Sequence, residues 1–195
     1  MKKSKHTKQD ILKLLKTNKI ISGEKMAQIL GISRTAVWKH INDLKRKGYL
    51  IEVTPKGYTL INNVDLLNEE ELADLPYKVY YYKEVTSTMD IAKEIAEKEE
   101  ALVIAETQTK GKGRMGRFWY SPKGGIWMSL VIKPTFSLKE VYLLTYMASL
   151  ATALAIEKIA GIKVYLKWPN DIIYKENDEE KKLAGILLEV KGEID

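Results

Sequence analysis

Apolar residues recur along this chain with more than one spacing, and the changes of spacing mark its parts. In DILKLLKTN (10–18), Ile11, Leu12, Leu14 and Leu15 share one face of a helix. Ser22 before Gly23 and Glu24 reads as a helix start, with a capping hydroxyl and an acidic first turn. GEKMAQIL then stops at Gly31. Ser33 caps a third helix, RTAVWKHINDLKRK, ended by Gly48, whose core positions Val37, Ile41 and Leu44 follow i, i+4, i+7. Trp38 borders that face, and burial is expected of it. YLIEV and YTLI around Thr54-Pro55-Lys56-Gly57 alternate as a β-hairpin.

Residues 63–77 form a linker between this module, 1–62, and a larger one, 78–195. Asn68 ahead of Glu69, Glu70 and Glu71 predicts a short capped helix ended by Pro76. KVYYYKEV (78–85) is a strand, and Ser87-Thr88 opens a helix to about residue 98 with Ile91, Ile95 and Ala96 inward. LVIAETQ (102–108) and IWMSLVIK (126–133) are apolar strands. Residues 138–160 predict a long helix whose Glu140, Thr145, Glu157 and alanines favour burial against a sheet over a membrane span. KVYLKW (163–168) and KLAGILLEV (182–190) read as strands, and YKENDEEKK (174–182) as a mobile polar loop rather than a metal site.

Charge divides the chain the same way. Residues 1–62 hold 14 Lys+Arg against 4 Asp+Glu, a balance of +10, while the whole chain carries +6. A basic module joined to a mildly acidic one points to nucleic acid for the first alone. Two helices joined through Gly31 and followed by a hairpin form a winged helix-turn-helix. Ser33, Arg34, Thr35, Lys39 and Asn42 remain for solvent or DNA, with Lys56 on the wing. Cysteine is absent, which excludes disulfides and thiol catalysis, and His6 and His40 suggest no metal site. No 18-residue apolar run lacks charge, so a soluble cytoplasmic protein without membrane partners is expected.

The candidate chemistry lies in ETQTKGKGRMGRFWYSPKGG (106–125), where Gly111, Gly113 and Gly116 alternate with Lys112, Arg114 and Arg117, and Trp119 follows. Glycines let a backbone approach an anion that the cations would meet, and the indole offers a face to a base. GKGRMG matches G-x-G-x-x-G, but a strand follows instead of a helix, and no Asp or Glu occurs between Arg117 and Lys139. It also matches the glycine spacing of a phosphate-binding loop, yet Arg117-Phe118 replace the required Lys and Ser/Thr.

The loop resembles the signature of the biotin–protein ligases, as do Lys167-Trp168-Pro169-Asn170-Asp171 and Lys182-Leu183-Ala184-Gly185-Ile186-Leu187-Leu188-Glu189. The stretch SGEKMAQILGISRTAVWKHI and the PKGYTL wing resemble the bifunctional members that also repress biotin genes. The resemblance implies an α+β chain: a winged helix-turn-helix, then a class II synthetase-like mixed β-sheet flanked by helices. It implies a catalytic domain incomplete at its C-terminus, with a strand and a small β-barrel expected past Asp195. It also implies biotin and ATP as substrates, magnesium on the phosphates, and a biotin carboxyl carrier protein as acceptor. Duplex operator DNA would be a second partner, and a homodimer would form when the adenylate is bound. A non-catalytic sensor of biotin or its adenylate stays open beside the ligase.

By the same resemblance, Ser87, Thr88, Met89, Gln108, Gly111, Lys112, Gly113, Arg114 and Lys167 would bind biotin, and Arg114 and Lys167 would be catalytic. Arg117, Trp119, Asn170 and Lys182 would hold the nucleotide, Trp119 by stacking, and Asp171 would orient groups or magnesium. Lys112 replaces the family's commoner arginine and loses its bidentate fork. Met89 replaces a common asparagine, removing a polar contact.

Overall fold

The N-terminal helices form where local capping directs them. In the computed structural model, which describes residues 7–61, 66–135, 137–177 and 179–191, α1 spans Thr7–Thr17, α2 Gly23–Leu30 and α3 Arg34–Arg46. Ser22 Oγ accepts the Lys25 N–H and Ser33 Oγ the Ala36 N–H. Gly31 ends α2 with φ 63°, a left-handed conformation costly for other residues. Ile11, Leu12, Leu15, Met26, Val37, Ile41 and Leu44 close one core. Each such aliphatic contributes about 1.5–3 kcal/mol by leaving water. The wing is β1 (Ile51–Thr54) antiparallel to β2 (Gly57–Leu60), with Ile51 in that core. Trp38 corrects the sequence reading. It is 59% exposed, because the helical stripe through Val37, Ile41 and Leu44 already fills the space between helices.

The acidic segment after the wing makes turns instead of the expected helix. Asn68 Oδ1 does accept the Glu70 and Glu71 N–H groups, but its side chain is also drawn to the Tyr49 hydroxyl at 3.2 Å. Both oxygens of Glu70 lie 2.6 and 2.7 Å from Lys47 Nζ, and Glu71 pairs with Lys16 at 2.5 Å. Burial opposes the Lys47 charge, but the hydrogen bonds to Glu70 and Glu69 outweigh it and raise the ammonium's pKa. These long-range pairs hold residues 66–74 against the winged helix.

Among the described residues, two three-stranded sheets build the larger module. β3 (Lys78–Val85) runs parallel to β4 (Ala101–Gln108), which is antiparallel to β5 (Trp127–Val131), making a mixed sheet. The parallel pair is joined by α4 (Thr88–Ile95), whose Ala92 and Ile91 pack on Val103 and Val131. The second sheet is β6 (Tyr165–Lys167), β7 (Asp171–Glu176) and β8 (Glu179–Gly185), all antiparallel. The polar stretch 174–182, expected as a loop, is therefore mostly a hairpin. Its side chains lie in solvent on strands paired by backbone bonds, which leaves no apolar period to read. The expected strands 163–168 and 182–190 shrink to Tyr165–Lys167 and the last residues of β8.

α5 (Leu143–Ala160) carries apolar residues on every side. Length and composition would let it cross a membrane, and only 11% of that window is buried. The expected burial against a sheet holds for one stripe: Ala153 packs with Val164 and Ile172, while Met147, Leu150 and Leu154 stay exposed. Three short strands cover only that stripe.

Candidate functional site

The loop after β4 folds back on itself as a ribbon. Gln108 bridges Ser121, the Trp119 N–H donates to Gly111 O at 2.9 Å, and the Gly113 N–H to Arg117 O at 2.8 Å. At its tip Met115 takes φ 57° and lies 90% exposed. Gly111 is where the two arms approach: a Cβ there would stand 2.3 Å from Trp119 O and 2.6 Å from Ser121 Oγ. Gly111 therefore shapes the ribbon from within its backbone and does not line the cleft.

A cleft of about 1070 Å³ opens between the ribbon, the two sheets and α5. One end has a polar floor. Thr88 Oγ1 donates to Gln108 Oε1 at 3.1 Å, Ser129 Oγ lies 2.9 Å from Thr88 Oγ1, and Gln108 Nε2 donates to Ser121 Oγ at 2.9 Å. With the Thr88 proton given to Gln108, the Ser129 hydroxyl is the donor to Thr88. Ser87, Thr88 and Ser129 are all buried. Ser87 Oγ caps α4 by accepting the Met89 N–H, and Met89 adds an apolar wall. Such a floor gives donors and acceptors to a compact polar ring, with apolar surface for a chain leading away.

Cations gather along the other part. Lys112 Nζ is 2.5 Å from Asp90 Oδ1, and Arg114 Nη1 donates to Asn170 Oδ1 at 2.9 Å. Gly113 and Arg117 line the same cleft, and among the described residues Arg117 makes no ion pair. Lys182 Nζ lies 4.8 Å from the centre of the Trp119 ring. It is also 2.8 Å from Asp171 Oδ1, a charge contact whose angle makes no hydrogen bond. Trp119 sits over Gly185, where a Cβ would come within 3.1 Å of the indole. Two arginines facing a cleft without a carboxylate partner make it a seat for an anion. Trp119 supplies the stacking face.

Of the residues singled out in the sequence, Ser87, Thr88, Met89 and Gln108 meet at the floor. Lys112, Gly113, Arg114, Arg117, Trp119, Asn170 and Lys182 meet along the ribbon side. Lys167 is the correction. Its ammonium lies 2.7 Å from Glu180 across β6 and β8, away from the cleft, and that hydrogen bond raises its pKa. The carboxylate that draws it there lies in the hairpin read as a loop. Sequence reasoning missed Asp90, Ser121 and Ser129. A serine on the core-facing register of an apolar strand, two before Val131, was the signal for Ser129.

In the N-terminal module, Ser33, Arg34, Thr35, Lys39 and Lys56 are exposed and Asn42 is half-buried. Arg34, Thr35, Lys39 and Asn42 share one side of α3, while the Ser33 hydroxyl is engaged as the cap.

A winged helix-turn-helix stands ahead of a mixed-sheet domain that carries a cationic, aromatic-edged cleft. The chain belongs to the biotin/lipoate A/B protein ligase family, whose model matches residues 81–195, and residues 7–59 match an HTH domain. It is 40% identical to the bifunctional ligase/repressor BirA of Bacillus subtilis over 96% of this chain and 61% of that protein. With the BirA of Escherichia coli it shares 34% identity over 93% of this chain and 57% of that one. The chain thus spans about 60% of the length of these curated relatives. A crystal structure of biotin protein ligase from Leishmania major in complex with biotinyl-5-AMP superposes with a TM-score of 0.51 at 34% identity. It covers 60% of this chain and 54% of that one.

Proposed function

We propose that this protein activates biotin with ATP, transfers it to a lysine of a biotin carboxyl carrier protein, and represses biotin genes as a DNA-bound dimer. In the first step a biotin carboxylate oxygen attacks the α-phosphorus and pyrophosphate leaves, giving biotinyl-5′-AMP. In the second, the acceptor lysine amine attacks the acyl carbon and AMP leaves. Neither step needs a thiol or a histidine; both need charge neutralisation at phosphorus and alignment of reactants. The observation that carries the reading is the polarity of one cleft. A floor of buried Thr88 and Ser129 with half-buried Gln108 suits the ureido ring, and Arg114 and Arg117 beside Trp119 suit the adenylate. The L. major complex supports the same ligand for a chain of this fold.

In this reading Lys112, Arg114 and Lys182 meet the carboxylate and α-phosphate, Arg117 and Asn170 the nucleotide, and Trp119 the adenine. Lys167 joins them only by leaving Glu180. Magnesium is taken to travel on the ATP phosphates, with Asp171 the carboxylate in reach. The ribbon is already paired along its arms, so adenylate binding closes its tip over the ligand and favours a dimer. The protein works in the cytoplasm, and Arg34, Thr35, Lys39, Asn42 and the wing Lys56 meet duplex DNA, with the Ser33 cap holding the helix start.

The test is an assay of the chain with biotin, Mg-ATP and a carrier domain, repeated on the chain extended to its relatives' length. Pyrophosphate release and a biotinylated carrier are expected from the extended protein. Tight adenylate binding without pyrophosphate release or transfer would leave a non-catalytic sensor, and the absence of all three would remove the ligase reading. For DNA, Lys39→Ala should weaken all duplexes alike and flatten the salt dependence by about one unit of slope.

A further inference from the structure

Trp38 has no task in the N-terminal core, and the structure leaves it on the outside of α3. A helix advances about 100° per residue, so positions 34, 38, 42 and 45 run as one stripe, with Thr35 and Lys39 beside it. The indole is 59% exposed in the middle of that stripe. Among the described residues it makes no hydrogen bond, ring stack or cation–π contact, and Arg34, Lys39 and Lys45 around it make no ion pair. An apolar disc ringed by unpaired cations fits a polyanion that itself carries an apolar feature. In the major groove of duplex DNA that feature is the thymine C5-methyl, and the indole N–H can only donate, matching the acceptors on base edges. Trp38 is also the fifth residue of its helix, within the N-terminal half that meets bases in helix-turn-helix proteins.

We propose that Trp38 enters the major groove and reads a thymine, its indole covering the C5-methyl, so that it sets sequence preference where Lys39 sets only affinity. The inference rests on the DNA-binding reading above. Side chains on either side of the stripe divide the work. Cations position the helix on phosphates, and the neutral ring contributes nothing to counterion release.

The experiment uses the full chain with biotinyl-5′-AMP and the duplex it enriches from a random-sequence library. Each thymine of that duplex is then replaced in turn by uracil, which removes one methyl. Wild type should lose about fourfold at one thymine per half-site, the transfer value of a single methyl group. Trp38→Ala should bind the parent duplex at least about tenfold more weakly, the scale of a good base contact, with an unchanged salt slope. It should also bind thymine and uracil duplexes alike. Trp38→Leu, which keeps apolar reach on the same helix, should retain part of the discrimination, and it decides the matter if the alanine variant melts early. Equal binding by wild type and Trp38→Ala, or equal thymine-to-uracil losses in both, would overturn the inference while leaving DNA binding intact. Failure of wild type to enrich any duplex would overturn both.

Discussion

Arg114 donates a 2.9 Å hydrogen bond to Oδ1 of Asn170, and the Asn170 amide in turn donates at 3.0 Å to the carbonyl of Ile186. One side chain therefore ties the glycine ribbon, the turn between β6 and β7 and the chain leaving β8. Those segments are distant in sequence, and each lends a residue to the cleft. Arg114 itself stays exposed, so its contact with Asn170 orients the guanidinium more than it stabilises the fold.

Arg114→Gly should accordingly leave thermal stability within about 0.5 kcal/mol, as for a surface change. Retention of biotinyl-5′-AMP should fall by roughly 1.5–3 kcal/mol, the worth of a charged hydrogen bond. Calorimetric titration and a melting curve on both proteins give the comparison. Equal affinity would mean that the ribbon does not hold the phosphate.

Lys182 stands over the Trp119 ring while facing Asp171. Lys182→Ala removes both contacts at once. The intrinsic fluorescence should change, because the cation leaves an indole face, and adenylate affinity should drop at least about tenfold, 1.4 kcal/mol. Lys182→Arg keeps the charge and should recover part of each. An alanine variant with wild-type emission and affinity would take this lysine out of the site.

Ser129 donates into the floor of the cleft through Thr88. Ser129→Ala leaves Thr88 with Gln108 alone, which should cost about 0.5–1.5 kcal/mol in urea unfolding. Biotin binding should weaken while ATP binding does not change. If instead the loss fell on ATP and spared biotin, the two ends of the cleft would be assigned the wrong way round.

His40 lies beside Lys8 and Lys39, and its Nδ1 is buried without a hydrogen-bond partner among the described residues. Burial first, then the Lys8 charge, lower its pKa below 6.5, and Asp43 only partly opposes them. Below 6.5 the unfolded chain takes up the proton more readily than the folded one. The contribution to stability is therefore present above that pH and is lost as pH falls through the folded pKa. The melting temperature of wild type relative to His40→Gln should decline on acidification between about pH 8 and pH 5. Parallel curves for the two proteins would show that His40 titrates alike in both states.

Much of this protein was legible in the sequence because the signals act within a helical turn or a few residues. Ser22, Ser33 and Gly31 set helix ends through bonds to backbone three to five residues away. The 3.6-residue period of Val37, Ile41 and Leu44 named the core face. The alternation of glycine with Lys112, Arg114 and Arg117 marked the loop as the seat of the chemistry, while its folding back on itself at Gly111 came only with the structure. What remained needed partners far along the chain. Trp38 lies at the edge of a core face, and only the closing of three helices showed that the space was taken. The acidic run from Asn68 to Glu71 had good capping chemistry, but Tyr49, Lys47 and Lys16 drew its side chains into turns. Lys167 sat in the right motif, yet Glu180 across the hairpin took its ammonium. Ser129 joined the site through Thr88, 41 residues earlier. Local hydrogen bonds and period are written residue by residue; the choice among competing charged and polar partners is made only when the sheets bring them together.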